Sequence, residues 1–135
     1  MINHINFYAV ISGKSFRPST TIIKDSVFEV EAMNDPNGRE LIDQKDTKDS
    51  RSFVSGSLTL SPKKLTDVSI FDKALHEFLT NLTDFIVGLR EPELDLQVHI
   101  NIEYKSQCNF ELSKELVKAL SSLGAILTIS CYEGN

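Results

Sequence analysis

Residues 94–104, LDLQVHINIEY, alternate without a break between apolar and polar side chains. Leu94, Leu96, Val98, Ile100, Ile102 and Tyr104 fall on one side of an extended chain, and Asp95, Gln97, His99, Asn101 and Glu103 on the other. This period of two predicts a strand with one face in a core and one face in water. Met1–Gly13 repeats the pattern, broken only by Val10, with Ile5, Phe7, Ala9 and Ile11 against Asn6, Tyr8 and Ser12, and ends near Gly13. Val27–Met33 places Phe28, Val30 and Ala32 inward and Glu29 and Glu31 outward. Arg51–Leu60 sets Val54, Gly56, Leu58 and Leu60 against Ser55, Ser57 and Thr59, with Gly56 a candidate bulge. Ala125–Tyr132 closes the series, with Leu127, Ile129 and Cys131 opposite Thr128, Ser130 and Tyr132.

Two stretches change period. Phe71, Leu75, Phe78, Leu82, Phe85 and Leu89 recur at three and four, which predicts a helix over 70–89 opened by a capping-box-like Ser69 and Asp72 and stopped before Pro92. Leu112, Leu116, Ala119, Leu120 and Leu123 predict a second helix over 112–123, ended by Gly124. Pro18 and its neighbouring hydroxyl residues are compatible with one further short helix in 15–25. Between strands, Asp35-Pro36-Asn37-Gly38 is a turn signal, and the charged residues that follow predict a mobile loop over about 34–51.

Each helix has a single apolar stripe and most strands have one apolar face. The expected fold is therefore α+β: a two-layer sandwich, with a mostly antiparallel sheet of about five strands and both helices on one face. A chain of 135 residues is expected to form this as one domain, spanning 1–135.

The residues at the C-terminal end carry a resemblance. Glu111-Leu112-Ser113, Glu115-Leu116, Leu120, Leu123-Gly124-Ala125, Leu127, Ile129 and Tyr132 follow a helix-then-strand pattern, and FYAVISGKSFRPS near the N-terminus follows an opening strand with a Phe-x-Pro link. In these features the chain resembles the bacterial domain-of-unknown-function 4279 family, most strongly over residues 94–132. The middle departs from it, since VFEVEAMNDPNG stands where the family has a helix and a glycine-containing loop. The resemblance implies a bacterial origin and supports the fold. It transfers no catalytic residue, because the matching positions are core and cap residues.

Composition narrows the chemistry. The formal net charge is −5, and the 14 Lys and Arg residues lie in links, helices and strand ends, while Glu29, Glu31, Asp95 and Glu103 lie within strands on their polar sides. An acidic chain is a poor partner for nucleic acid or for an anionic membrane. No stretch reaches the roughly 18 apolar residues of a membrane span, and the N-terminus lacks the basic start and cleavage site of a signal peptide, so a cytoplasmic location is expected. The cysteines, Cys108 and Cys131, form no zinc motif, and no GxSxG, GxGxxG or P-loop pattern is present; neither metal nor cofactor is expected.

His99 is the most conspicuous titratable residue, flanked on its strand face by Asp95 and Glu103. Four residues along a strand span about 13 Å, too far for a shared proton or metal. Catalysis by His99 therefore requires a carboxylate from a neighbouring strand, and without one no catalytic residue is expected. His76 faces solvent on the long helix, and His4 has no partner in sequence. Cys131 is expected to pack as a small apolar residue, and Cys108 to be the more exposed thiol. The sequence thus favours a non-catalytic protein-binding module. Its expected contact surface is Glu29, Glu31, Asp95, Gln97, His99, Asn101, Glu103 and Tyr132, presented to a basic protein in the manner of an immunity or antitoxin-like protein. The alternatives are a small-molecule binding or sensor domain and a small enzyme using His99. Oligomeric state is open at this level.

Overall fold

The computed structural model describes residues 1–23, 27–36, 55–63 and 67–134. Five strands form one sheet in the order β2-β3-β1-β4-β5, where β1 is Ile2–Gly13, β2 Phe28–Asn34, β3 Gly56–Pro62, β4 Asp95–Tyr104 and β5 Ile126–Glu133. Helix α1, Phe71–Leu89, links β3 to β4, and α2, Lys114–Leu123, links β4 to β5. Three of the four strand pairings are antiparallel, and β4 with β5 is parallel. The connections explain this. A helix that returns the chain to the same end of the sheet must deliver the next strand parallel to the last, as α2 does. Because β3 and β4 both run antiparallel to β1, they are parallel to each other, and α1 crosses over β1 to join them. Both helices lie on one face, as the strand alternation requires.

The core is assembled from the predicted stripes. Ile5, Phe7, Ala9 and Ile11 of β1, Leu58 and Leu60 of β3, and Leu96, Val98, Ile100 and Ile102 of β4 are buried under Phe71, Leu75, Phe78, Leu79 and Leu82 of α1 and Leu116 and Leu120 of α2. Aromatic rings run through it in continuous contact. Phe110 meets Phe71, Phe71 meets Phe7, Phe7 meets Phe78, Phe78 meets Phe28 and Phe28 meets Phe85, with centroids 5.2–5.9 Å apart and mostly edge-to-face. This is the range in which ring quadrupoles attract, each pair adding roughly 0.5–1.5 kcal/mol beyond area burial.

Several local expectations are corrected. The long helix is not opened by Ser69. Asp67 accepts a hydrogen bond from the Ser69 backbone N–H at 3.0 Å and caps a 3-10 turn, Val68–Ile70, from which α1 begins at Phe71. A carboxylate two residues ahead of its N–H partner makes the cap without the longer capping box. The second helix begins at Lys114, not 112, because Ser113 is its cap and accepts from the Leu116 N–H at 3.2 Å; it ends as expected at Gly124, whose φ of +64° is the left-handed cap. The short helix in 15–25 is a 3-10 turn, Pro18–Thr20.

The bulge lies in β2, not at Gly56. Its register shifts between Val30 and Ala32, so Glu31 and Ala32 oppose the single residue Thr59 and Met33 takes the place opposite Leu58. Ala32 is consequently on the uncovered face, where an inward position was expected. Gly56 answers to a different constraint: a Cβ there would stand 1.7 Å from the Phe16 carbonyl oxygen, so the backbone of the 13–20 link passes where a side chain would be. The third strand, expected over 51–60, is described from Gly56 to Pro62, and the loop expected over 34–51 lies outside the described residues beyond Pro36.

Truncating Phe78 removes the ring that touches both Phe7 and Phe28. Phe78→Ala is expected to cost about 3–5 kcal/mol in urea unfolding, the cost of a large-to-small change in a tight core. The Asp67 carboxyl is held below its ordinary value of 3.8, first by the Ser69 backbone N–H and then by the Ser69 hydroxyl. A carboxyl lowered in the folded state contributes stability above its unfolded value and loses it as pH falls through the folded value. Asp67→Asn is therefore expected to lower the urea midpoint at pH 7, with the difference from wild type shrinking as pH falls below the ordinary carboxyl value.

Candidate functional site

The sheet face opposite the helices is the candidate site, and pairing registers assign its rows. One row across the sheet is Glu29, Ser61, Tyr8, His99 and Thr128. The next is Glu31 with Ala32, then Thr59, Val10, Gln97 and Ile126. A third holds Asn34, Ser57, Ser12 and Asp95, a fourth Asn6, Asn101 and Ser130, and a fifth His4, Glu103 and Tyr132. None of the five strands contains a Lys or Arg.

The centre of this face is amide and aromatic. The rings of Tyr8 and His99 are stacked, with centroids 4.7 Å apart and planes 5° from parallel. The His99 Nε2–H donates to the Gln97 side-chain carbonyl at 3.0 Å. Tyr8 and His99 are directly opposed on adjacent antiparallel strands, the closest cross-strand relation a sheet offers. Stacking and the Gln97 bond hold the imidazole flat against its neighbours. Among the described residues no hydrogen bond joins it to a carboxylate or thiol. A base needs such a partner, or a substrate proton within reach, to be oriented for proton transfer.

The carboxylates stand around that centre. Glu29 and Glu31 are on the edge strand β2, and the Glu31 carboxylate accepts from the Ser61 hydroxyl at 2.7 Å. Asp95 and Glu103 are at opposite ends of β4, eight residues and about 26 Å apart at strand rise. Glu29 shares a row with His99 but lies three strands away, about 14 Å at normal strand spacing. The expected residues thus share one face, as eight members of a surface and not as a cluster. Glu103 faces His4 across β1 and Tyr132 across β5, so His4 does have a carboxylate neighbour that its place in the sequence could not show.

Several members of this surface were not singled out from sequence as contact residues: His4, Asn6, Ser12, Ser57, Thr59, Ser61, Thr128 and Ser130. Their signal was the parity of their own strands, but parity does not say which strands are neighbours. Ile126 and Tyr132, 60% and 49% exposed, add apolar area at the β5 edge.

No family model, curated protein or solved structure matches the chain. Among the described residues no group of three His, Cys, Asp or Glu is placed to hold a metal ion. Among the described residues, no helix is long and apolar enough to cross a membrane.

A concavity lies on the helix side. A hollow of about 610 Å³ opens between the C-terminal half of α1, the link 15–22 and the start of β2. Phe16, Val27, Phe28, Phe85 and Leu89 give it apolar walls, and Arg17, Asn81, Asp84 and Glu91 bring polar groups to it.

Proposed function

We propose that the protein is a non-catalytic binding module that covers a basic surface of another protein, in the manner of an immunity or antitoxin-like protein neutralising a cationic toxin domain. The observation that carries this reading is the sheet face opposite the helices, on which, among the described residues, the strands present Glu29, Glu31, Asp95 and Glu103 and no Lys or Arg. A surface of one sign raises the encounter rate with a surface of the other and penalises wrong partners. The same field disfavours nucleic acid and anionic membrane as partners.

Size supports the reading as well. Five strands at about 4.8 Å spacing by about 26 Å of strand length make a face of roughly 600 Å², close to the roughly 800 Å² that each partner buries in an interface of ordinary size. The Tyr8–His99 stack supplies an ordered aromatic centre and the carboxylates supply a polar rim, the division found in many protein interfaces. Membership of the domain-of-unknown-function 4279 family is part of this proposal and rests on the residues at 94–132.

The test is charge reversal at the ends of β4. Asp95→Lys with Glu103→Lys is expected to leave the urea midpoint close to wild type, because both sites are on the water side of the sheet. Affinity capture from the bacterial source, read by mass spectrometry, is expected to recover a basic protein with wild type and not with the reversed variant. The association rate of that pair is expected to fall about tenfold or more on reversal and to fall with added salt. Capture of no basic protein, or equal capture by both forms, counts against the reading.

The hollow beside α1 favours a second reading, a small-molecule binding or sensor domain, because its volume and mixed lining suit a ligand with an apolar body and a few polar groups. A thermal-shift screen of metabolites is expected to give hits that Phe85→Trp removes by filling the hollow. No hit with wild type would end this reading.

A further inference from the structure

Strand β5 ends the sheet, and among the described residues nothing pairs with its outer edge. Alternate residues along that edge aim a backbone N–H and C=O away from the sheet, the arrangement that accepts another strand. Cover is thin on both sides of β5. Ile126 and Tyr132 on the open face are 60% and 49% exposed, Ile129 on the helix-facing side is 42% exposed, and Cys131 beyond it is exposed.

The two edges of the sheet differ in how they resist a second strand. Strand β2 carries Glu29 and Glu31 and a bulge at Glu31 and Ala32, so a copy of β2 laid against it would bring carboxylates together over an interrupted ladder. From Ile126 to Tyr132, β5 has no charge, no proline and no shift of register. Its residues are also symmetric in character about Ile129. Ile126 and Tyr132 are both apolar and exposed, Leu127 and Cys131 are both small or medium apolar residues, and Thr128 and Ser130 both carry hydroxyls. A two-fold contact requires this symmetry, because each residue meets the residue at its mirror position in the other copy.

We propose that the protein forms a two-fold dimer by antiparallel pairing of β5 with β5 of a second copy, with Ile129 opposite itself. In this register Ile126 faces Tyr132 of the second copy, Leu127 faces Cys131 and Thr128 faces Ser130. Glu133 falls opposite Ala125, so no two carboxylates are opposed. The two Cys131 thiols stand on either side of the axis, four residues and about 13 Å apart along the strands, too far for a disulfide between them. Pairing about an axis perpendicular to the sheet makes one continuous sheet of both copies, with both helix layers on one side and both open faces on the other. The contact is small, under the roughly 1,200 Å² of tight complexes, so a dissociation constant on the order of 10–100 µM is expected.

Sedimentation velocity of the full chain from about 5 to 500 µM, with dithiothreitol present, reads the dimer across that range. Wild type is expected to pass from monomer to dimer, and equally so without dithiothreitol. Ile129→Lys sets two ammonium groups face to face at the axis and is expected to raise the dissociation constant about tenfold or more, whereas Met33→Lys on the β2 edge is expected to leave it unchanged. The register has its own test. Thr128→Lys with Ser130→Lys, and Thr128→Glu with Ser130→Glu, are each expected to be monomeric alone and to dimerise when mixed, because every Lys then faces a Glu. Urea midpoints and far-ultraviolet circular dichroism of each variant separate a folding defect from lost pairing. A wild type that stays monomeric throughout overturns the proposal, as does a dimer that dithiothreitol dissolves or that Ile129→Lys leaves intact. Folded Lys and Glu variants that do not pair on mixing, or a dimer lost in Met33→Lys, overturn it too.

Discussion

Strand β1 carries the constraint on which the rest of the structure depends. It is the middle strand of the sheet, paired to β3 from Ala9 to Gly13 and to β4 from Ile2 to Ser12, so both its edges are committed to backbone hydrogen bonds. Its inward side chains, Ile5, Phe7, Ala9 and Ile11, are almost completely buried. A strand bonded on both edges and buried on one face has only its other face left for water. The polar sides of the five strands meet on that remaining face, and both helices lie on the opposite side.

Phe7 links this constraint to the helix layer, because its ring meets Phe71 one way and Phe78 the other. Through Phe78 the aromatic contacts reach Phe28 on the edge strand, and through Phe71 they reach Phe110 ahead of α2. The consequence is a well-packed middle and thinner margins. Beneath α1 and α2 the side chains of β1, β3 and β4 are sealed, whereas Val30 and Met33 of β2 and Ile129 of β5 remain about 40% exposed. The edges are the parts of the sheet with least packing to hold them. The Glu31–Ser61 bond is an interaction of one such margin.

The element pattern was legible because burial imposes a period. Leu96, Val98, Ile100 and Ile102 had to alternate with polar residues if one face was wet, and Leu75, Phe78 and Leu82 had to recur at three and four to keep one side of a helix apolar. What misled were residues whose role is set by something passing nearby. Gly56 reads as a bulge but is small because the Phe16 carbonyl occupies the space. Ala32 reads as inward until the extra residue at Glu31 reverses the parity behind it. Cys131 has inward parity, and it does face the helix side, but no helix residue reaches far enough over β5 to bury it. Parity records the side of the sheet and not the depth of cover.

Spacing within a few residues is enough to locate the five strands and both long helices, the Gly124 cap and the polar side of most strands. The strand order, the stacking of Tyr8 on His99 and the meeting of His4 with Glu103 come from the assembled fold. Those relations join residues far apart in the chain, and they arise from the competition of whole strands for neighbours, which local spacing does not encode.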